Sequence, residues 1–283
     1  MVNIDDLLFV IVLYKNNLQS SASYVTLCEW FSANNVCGNI LVYDNSPDSI
    51  EKIMDNHHVV NYIHDSSNPG VSKAYNVSAQ FGYKRGKKWL VLLDNDTKIS
   101  KDYLPQLMEA INNNYNVKLF APMLRTNGFF VSPSAYYCKK GFPKKKVNSG
   151  LQLIKHINFL NSGLCINIEA FLEVGGYDER IQLYFSDYEF VDRFKKKHPQ
   201  VYVLKTIMEH ELSDMVFWTF ENASRTFVYY CRGAKIAINS LSSWFCYTFI
   251  VISRALKLSF RYRRIIFFRI LLTDFVLFRK KNE

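Results

Sequence analysis

Long apolar runs are missing from this 283-residue chain, and nothing in it approaches the roughly 20 uninterrupted apolar residues that a spanning helix needs. Paired cysteines are missing too. Six stand at 28, 37, 138, 165, 231 and 246, with no C-x-x-C and no Cys/His cluster at zinc spacing. This excludes a zinc module and reads as six free thiols in a reducing compartment. The opening stretch, "MVNIDDLLFVIVLY", lacks the positive charge of a secretory leader. It places two aspartates before an apolar run of eight and reads as a first buried strand. These absences together predict a cytoplasmic protein. No internal repeat is present, and 216–278 contains no proline.

What is present bounds the class. Apolar residues make up 49% and aromatics 16%, enough for the core of one large or two modest domains and too much for a disordered chain. Thirty-five Lys and Arg against 25 Asp and Glu leave a formal charge of +10. That balance favours an anionic partner, whether nucleic acid, an anionic membrane surface or a phosphorylated substrate. Charge does not choose among them.

Strand-length apolar runs alternate with helical stretches through the first half. "LLFVIVLY" (7–14), "NILVYDNS" (39–46), "VVNYIHD" (59–65), "WLVLL" (89–93) and "NVKLFAP" (116–122) are separated by helical patterns near 22–34, 71–85 and 101–113. Continuous apolar strands between helices predict an α/β fold with a mostly parallel central sheet covered on both faces. The stretch 123–157, with its basic run "KKGFPKKK" (139–146), reads as a long surface loop. Order returns over 157–181, a helix follows at 185–197 and a strand at 201–204. From 216 the chain is aromatic and basic, and reads as a C-terminal helical extension.

Open parallel sheets bind ligands outside the carboxyl ends of their strands. Three strand ends carry polar residues there: Asp44-Asn45-Ser46-Pro47, Asn68-Pro69-Gly70 and Asp94-Asn95-Asp96. Each alone fits a turn, because Asp and Asn bond their own backbone. Asp94 and Asp96 also fit a site for a hard divalent cation such as magnesium or manganese, with substrate phosphates completing the shell. In "DYEFVDRF", Glu189 and Arg193 stand at the favoured i,i+4 spacing. Asp187, near the helix start, is a candidate general base. His210 in "MEHELSD" follows the last strand, where a metal or diphosphate contact is possible.

Taken in order, "VIVLYKN", "VYDNS", "NPGVSKAYNVSAQFGYKRGKKWLVLLDNDT", "NSGLCINIEAFLEVGGYDERI", "DYEFVDR", "MEHELSD" and "RTFVYYCRGAKIAI" resemble family 2 glycosyltransferases, in particular the bacterial rhamnosyltransferase-like branch that builds O-antigen or capsular polysaccharides. The resemblance covers most of 7–238. It implies a GT-A fold over 1–215 and a metal-dependent inverting transfer from a nucleotide-diphosphate sugar, with magnesium or manganese as cofactor. It implies that Asp44 binds the base, Asp94 lies near the ribose, and Asp96 carries the cation with His210. Asn68, Gly70 and Asn76 fall on its donor segment, and Asn161, Ser162 and Gly163 lie beside the transferred sugar. Asp187 matches its catalytic aspartate, supported by Glu189 and Arg193. The first expectation for the donor is dTDP-rhamnose, with a UDP-hexose or UDP-galactofuranose as alternatives, and for the acceptor a polyprenyl-diphosphate-linked saccharide at the inner membrane face. Residues 216–283 are then expected to be membrane-associating. Gly233, where relatives carry asparagine, and Ser213, where glycine is common, depart from the pattern. A non-catalytic sugar-binding protein and a basic nucleic-acid-binding protein are the competing readings.

Overall fold

A computed structural model describes residues 1–49, 59–209 and 219–279. Its centre is a sheet whose middle strands are nearly all apolar, as burial on both faces requires. These are β1 (Leu7–Leu13), β2 (Asn39–Asp44), β4 (Trp89–Asp94) and β5 (Leu119–Thr126), with the partly buried β3 (Val59–His64) at the edge beside β2. The sheet is completed by β6 (Phe129–Tyr137), β7 (Lys140–Lys144), β8 (Gly150–Leu153), β9 (Ile157–Asn158), β10 (Cys165–Asn167) and β11 (Gln200–Glu209). The main path runs β3-β2-β1-β4-β10-β5-β11-β8. β3, β2, β1 and β4 are mutually parallel, as are β5 and β11, while the short β10 is antiparallel to both β4 and β5. The α/β expectation holds, with a mixed sheet: the strands either side of β10 run parallel, and the pairings of β6, β7, β8, β9 and β10 are antiparallel.

Helices α1 (Ala22–Ala33) and α3 (Tyr103–Asn113) contribute to one core layer with the odd face of β1. α2 (Val71–Lys84), α4 (Ile168–Glu173) and α5 (Ser186–Lys197) contribute to the other, with Leu8 and Val10. The period-2 alternation of β1 thus divides its side chains between two cores.

The surface loop expected at 123–157 is instead largely strand. β5 and β6 form a hairpin through Asn127-Gly128, both at positive φ (49° and 79°), and β6 and β7 form another through Cys138-Lys139 (45° and 59°). Two-residue loops with both φ positive match the twist of the flanking strands. Asn-Gly is the strongest short hairpin signal, and it was present in the sequence.

The free-thiol expectation also fails at one pair: Cys138, in the β6–β7 turn, is bonded to Cys246, 108 residues later. No sequence spacing predicts such a pairing, since it depends on a docked helix. Cys165 and Cys231 are buried thiols, and desolvation pushes their pKa up.

Three C-terminal helices follow: α6 (Phe220–Ala237), α7 (Leu241–Tyr262) and α8 (Ile266–Leu271). They bury a third cluster, including Phe227, Tyr230, Tyr247 and Val251, together with Ile181 and Phe185 from the segment before α5. Gly233 is explained here: a Cβ on it would stand 2.5 Å from the Tyr184 carbonyl oxygen, so α6 approaches this closely only without a side chain. The expected boundary at 215/216 lies outside the described residues.

Candidate active site

The strand order reverses between β1 and β4, the point where open α/β sheets open a crevice. The register sets Asp44 opposite Leu13 and Asp94 opposite Val12, so both aspartates end on one rim. Asp94 is the last residue of β4, and Asn95-Asp96 is a turn closed by Thr97 N–H donating to the Asp94 carbonyl (3.3 Å). The turn reading is therefore correct, and the turn leaves Asp94 and Asp96 at the strand-end rim. From one side the turn is gripped by the start of α1, where Ser21 Oγ donates to Asn95 O (3.0 Å) and Ser23 Oγ to Thr97 O (2.9 Å). From the other, fully buried Ser162 donates to Asp94 Oδ2 (2.6 Å) and pairs with Thr97 Oγ1 (2.6 Å). Tyr75 of α2 reaches Asp94 Oδ1 at 3.4 Å.

Asp94 is thus fixed by internal donors, whereas Asp96 is exposed. Among the described residues no group of three or more His, Cys, Asp or Glu could cage a metal. One exposed carboxylate beside a crevice suits a cation that arrives with a substrate's diphosphate, as magnesium usually does. His210 lies outside the described residues.

Asp44 is fully buried. Its oxygens accept from Ser46 N–H (2.9 Å) and from Tyr62 O–H (2.7 Å), so any nucleobase donor would compete with Tyr62. The neighbouring Asn45, 3% exposed, has an Oδ1 with no hydrogen-bond partner among the described residues. A buried acceptor without a donor is uncommon and costly. Beside these strand ends a depression of ≈570 Å³ opens between Lys15–Asn17 and Ser46–Asp48. Sequence reasoning gave Asn45 no role beyond its place at a polar strand end and passed over Lys15, which stands two residues after the end of β1.

The remaining residues converge through α2. Asn68 (φ 49°) and Gly70 (φ 93°) lead into that helix, and a Cβ on Gly70 would meet the Gln182 carbonyl oxygen at 2.2 Å. Val71 N–H donates to that same oxygen (3.1 Å). Gly70→Ala is expected to lower the melting temperature and weaken nucleotide affinity together, checked by thermal melts and calorimetric titration of a nucleoside diphosphate. One turn later, Asn76 Nδ2 donates to Tyr177 O (2.9 Å) and its Oδ1 accepts from Tyr177 N–H (2.8 Å). Tyr177 donates to Asn161 Oδ1 (2.7 Å) and stacks on Phe190 of α5, centroids 4.3 Å apart. Gly163, at φ 74°, donates its N–H to Leu92 O (2.7 Å) and passes Pro122 too closely for a side chain.

Asp187 stands in the first turn of α5 and is half-buried, with Tyr188 N–H on its Oδ1 (2.8 Å). Desolvation raises its pKa to about 7, helped by the charge of Asp94 and opposed by backbone N–H groups. Asp94 and Asp187 also act together on Tyr75 and Tyr177, whose pKa values desolvation pushes well up. Residues 93 positions apart therefore share one polar cluster under the rim. Glu189 and Arg193 do pair on α5, and Arg193 also donates to Val174 O and Gly176 O (2.6 Å each). This pair clamps the Gly175-Gly176 turn that carries Tyr177.

The profile described as Glycosyl transferase family 2 matches residues 27–160, the span from α1 through the Asp94–Asp96 turn to Leu160. A dTDP-rhamnosyl transferase of Shigella flexneri is 25% identical over 151 residues. Over 27–160 the chain is similar to glycosyltransferase family 2. The match to the Shigella protein covers 52% of this chain and 50% of that one, so the chain spans about half the length of the curated relative it matches. Among solved structures, S. aureus TarS in complex with UDP-GlcNAc has a TM-score of 0.54 at 12% identity, covering 81% of this chain and 65% of that one. Mannosyltransferase PcManGT from Pyrobaculum calidifontis, in complex with GDP-Man and Mn2+, has a TM-score of 0.55 at 9% identity, covering 91% and 74%. These likenesses establish the GT-A fold of the chain.

Proposed function

We propose that this glycosyltransferase moves a sugar from a nucleotide-diphosphate donor to a hydroxyl of a lipid-linked saccharide during surface-polysaccharide assembly, inverting the anomeric carbon. The observation that carries the reading is Asp187: a half-buried carboxyl with a pKa near 7, electrostatically linked to Asp94 at the strand-end rim. A general base works best with a pKa near the working pH. Asp187 takes the proton of the incoming hydroxyl. A single catalytic carboxylate with no covalent intermediate gives inversion.

Asp94, fixed by Ser162 and Tyr75, orients the ribose, and the exposed Asp96 faces the diphosphate, with magnesium or manganese as the shared cation. Such a cation acts as a Lewis acid toward the departing diphosphate. Asn45 and Lys15, beside the ≈570 Å³ depression, complete the base end. Tyr177 and Asn161 hold the wall beside the sugar. The first donor is dTDP-rhamnose, supported by the Shigella relative, with UDP-hexose and UDP-galactofuranose next. The place of action is the inner face of the cytoplasmic membrane.

A donor panel tests this: purified chain, magnesium or manganese, each nucleotide sugar in turn with a lipid-linked acceptor, and nucleoside diphosphate release as readout. One donor is expected to stand out. Nucleotide binding without release from any donor would instead support a non-catalytic sugar-binding protein. Asp96→Ala is expected to weaken cation-dependent nucleotide binding about tenfold or more, a loss of ~1.4 kcal/mol, and to leave cation-free binding unchanged. Equal loss with and without cation in calorimetric titrations would remove Asp96 from the metal role.

A further inference from the structure

The third hydrophobic cluster accounts for only one side of α7. Tyr247, Ile250, Val251 and Ala255 face inward, yet besides Trp244 six large apolar residues remain exposed: Leu241, Phe245, Phe249, Ile252, Leu256 and Phe260. Their spacings are 4, 4, 3, 4 and 4 residues, which places them in one stripe along the helix. Phe249 is 71% exposed and Phe260 90%. The helix has 22 residues, so the stripe extends for about 30 Å. Contiguous apolar surface of this kind on a folded protein marks a contact face.

Charge narrows the occupant. From 241 to 279 the chain has seven Lys or Arg and one acidic residue, Asp274, which is already paired with Arg232. Lys257, Arg261, Arg263, Arg264, Arg269 and Arg279 are all exposed. A second copy of this chain would bring cations against cations across a two-fold interface, which is repulsive. An anionic lipid surface meets both needs at once, with acyl chains for the stripe and headgroup phosphates for the cations. Among the described residues no helix is long and apolar enough to cross a membrane. A helix with a large apolar stripe and a cationic flank lies in the interface plane instead.

We propose that the exposed stripe of α7 is a docking face for an anionic bilayer surface, and that it holds the catalytic rim at a fixed height above the headgroups. This deepens the proposed function and rests on it only for the nature of the acceptor. The height follows from the packing. Tyr247, on the inward side of α7, makes an edge contact with Phe185 (5.2 Å), two residues before Asp187. One helix diameter, ~10 Å, thus separates that segment from the lipid-facing side. Cys246, next to Phe245, is bonded to Cys138 in the β6–β7 turn. Around that turn, Lys139 and Tyr136 bond Asp192 of α5 at 2.5 and 3.0 Å. Desolvation opposes ionisation of Asp192, yet Lys139 and Lys195 hold its carboxyl below the ordinary value. Membrane face, hairpin and base-bearing helix are therefore one connected stack.

The test uses the full chain with vesicles of phosphatidylcholine alone or containing phosphatidylglycerol. Wild type is expected to co-sediment at least tenfold more tightly with the anionic vesicles. Phe249→Ser with Phe260→Ser should lose about tenfold of that binding while keeping the wild-type melting temperature and nucleotide affinity. Lys257→Gln with Arg264→Gln should lower binding to anionic vesicles alone. Two results overturn the proposal: undiminished vesicle binding by the Phe variant, or a wild-type dimer in lipid-free buffer that this variant dissolves. Nucleotide affinity is read in the same samples without vesicles, so a failure of the glycosyltransferase reading appears separately from a failure of the docking face.

Discussion

Asp187→Asn is expected to cost about 10²–10⁴-fold in kcat, the usual contribution of a positioned general base, while nucleoside-diphosphate affinity stays close to wild type. The substitution keeps shape and removes only the ability to accept a proton. The wild-type pH profile is the companion measurement. Because the base must be deprotonated, kcat/KM should fall as pH drops through about 7, where an ordinary aspartate would hold activity to about pH 4.

Stability should move the other way. A folded-state pKa above the unfolded value means that the native protein binds this proton more tightly, so the site is most stabilising below the unfolded pKa of 3.8 and loses that contribution as pH rises through 7. Asp187→Asn cannot ionise. It should melt higher than wild type at pH 8, and the difference should vanish toward pH 4. Full transfer by the variant, or a flat wild-type profile between pH 5 and 8, would remove Asp187 from the role of base.

The second large effect is expected at Arg193. Its guanidinium serves both oxygens of Glu189, at 2.5 and 2.8 Å, and two carbonyls of the Val174–Gly176 turn. Glu189 is 13% exposed and Arg193 30%. Breaking a fully buried pair costs about 3–5 kcal/mol. The partial exposure of Arg193 reduces this to about 2–3 kcal/mol for Arg193→Met, read as a lower urea midpoint at unchanged m-value. The loosened turn carries Tyr177 and abuts Asn76, so donor KM should rise as well. Arg193→Lys should recover little, because one point charge cannot serve four acceptors in a plane. If the lysine variant is as stable as wild type, the clamp is not what holds this turn.

How much was legible in the sequence differs from element to element. β1, β2 and β4 were, because strands buried on both faces must be continuously apolar, and their polar ends were visible as Asp44 and Asp94. The β5–β6 hairpin carried a readable signal, Asn127-Gly128, but the lysines that follow it look like loop composition. The Cys138–Cys246 bond had no readable signal, since it joins a turn to a helix that only the third core cluster brings together. Arg193 was legible as the partner of Glu189 through helical spacing. Its two carbonyl acceptors were not, because they belong to a glycine turn on another element.

By itself, then, the sequence determined the fold class, the family resemblance, the strand-end rim and the carboxylates that stand on it. Those are properties of local periodicity and of residue types at strand ends. The tertiary structure alone decided how the carboxylates differ. Asp44 is sealed under Tyr62, Asp94 is pinned by Ser162, Asp96 is left in solvent, and Asp187 is driven toward a neutral-range pKa. Desolvation and hydrogen bonding depend on which distant groups arrive beside a side chain, and no spacing along the chain encodes that. The same reason applies to α7. Its amphipathic pattern is written in the sequence, but which side is core and which is left open was settled by the packing of α6 and Phe185 against it.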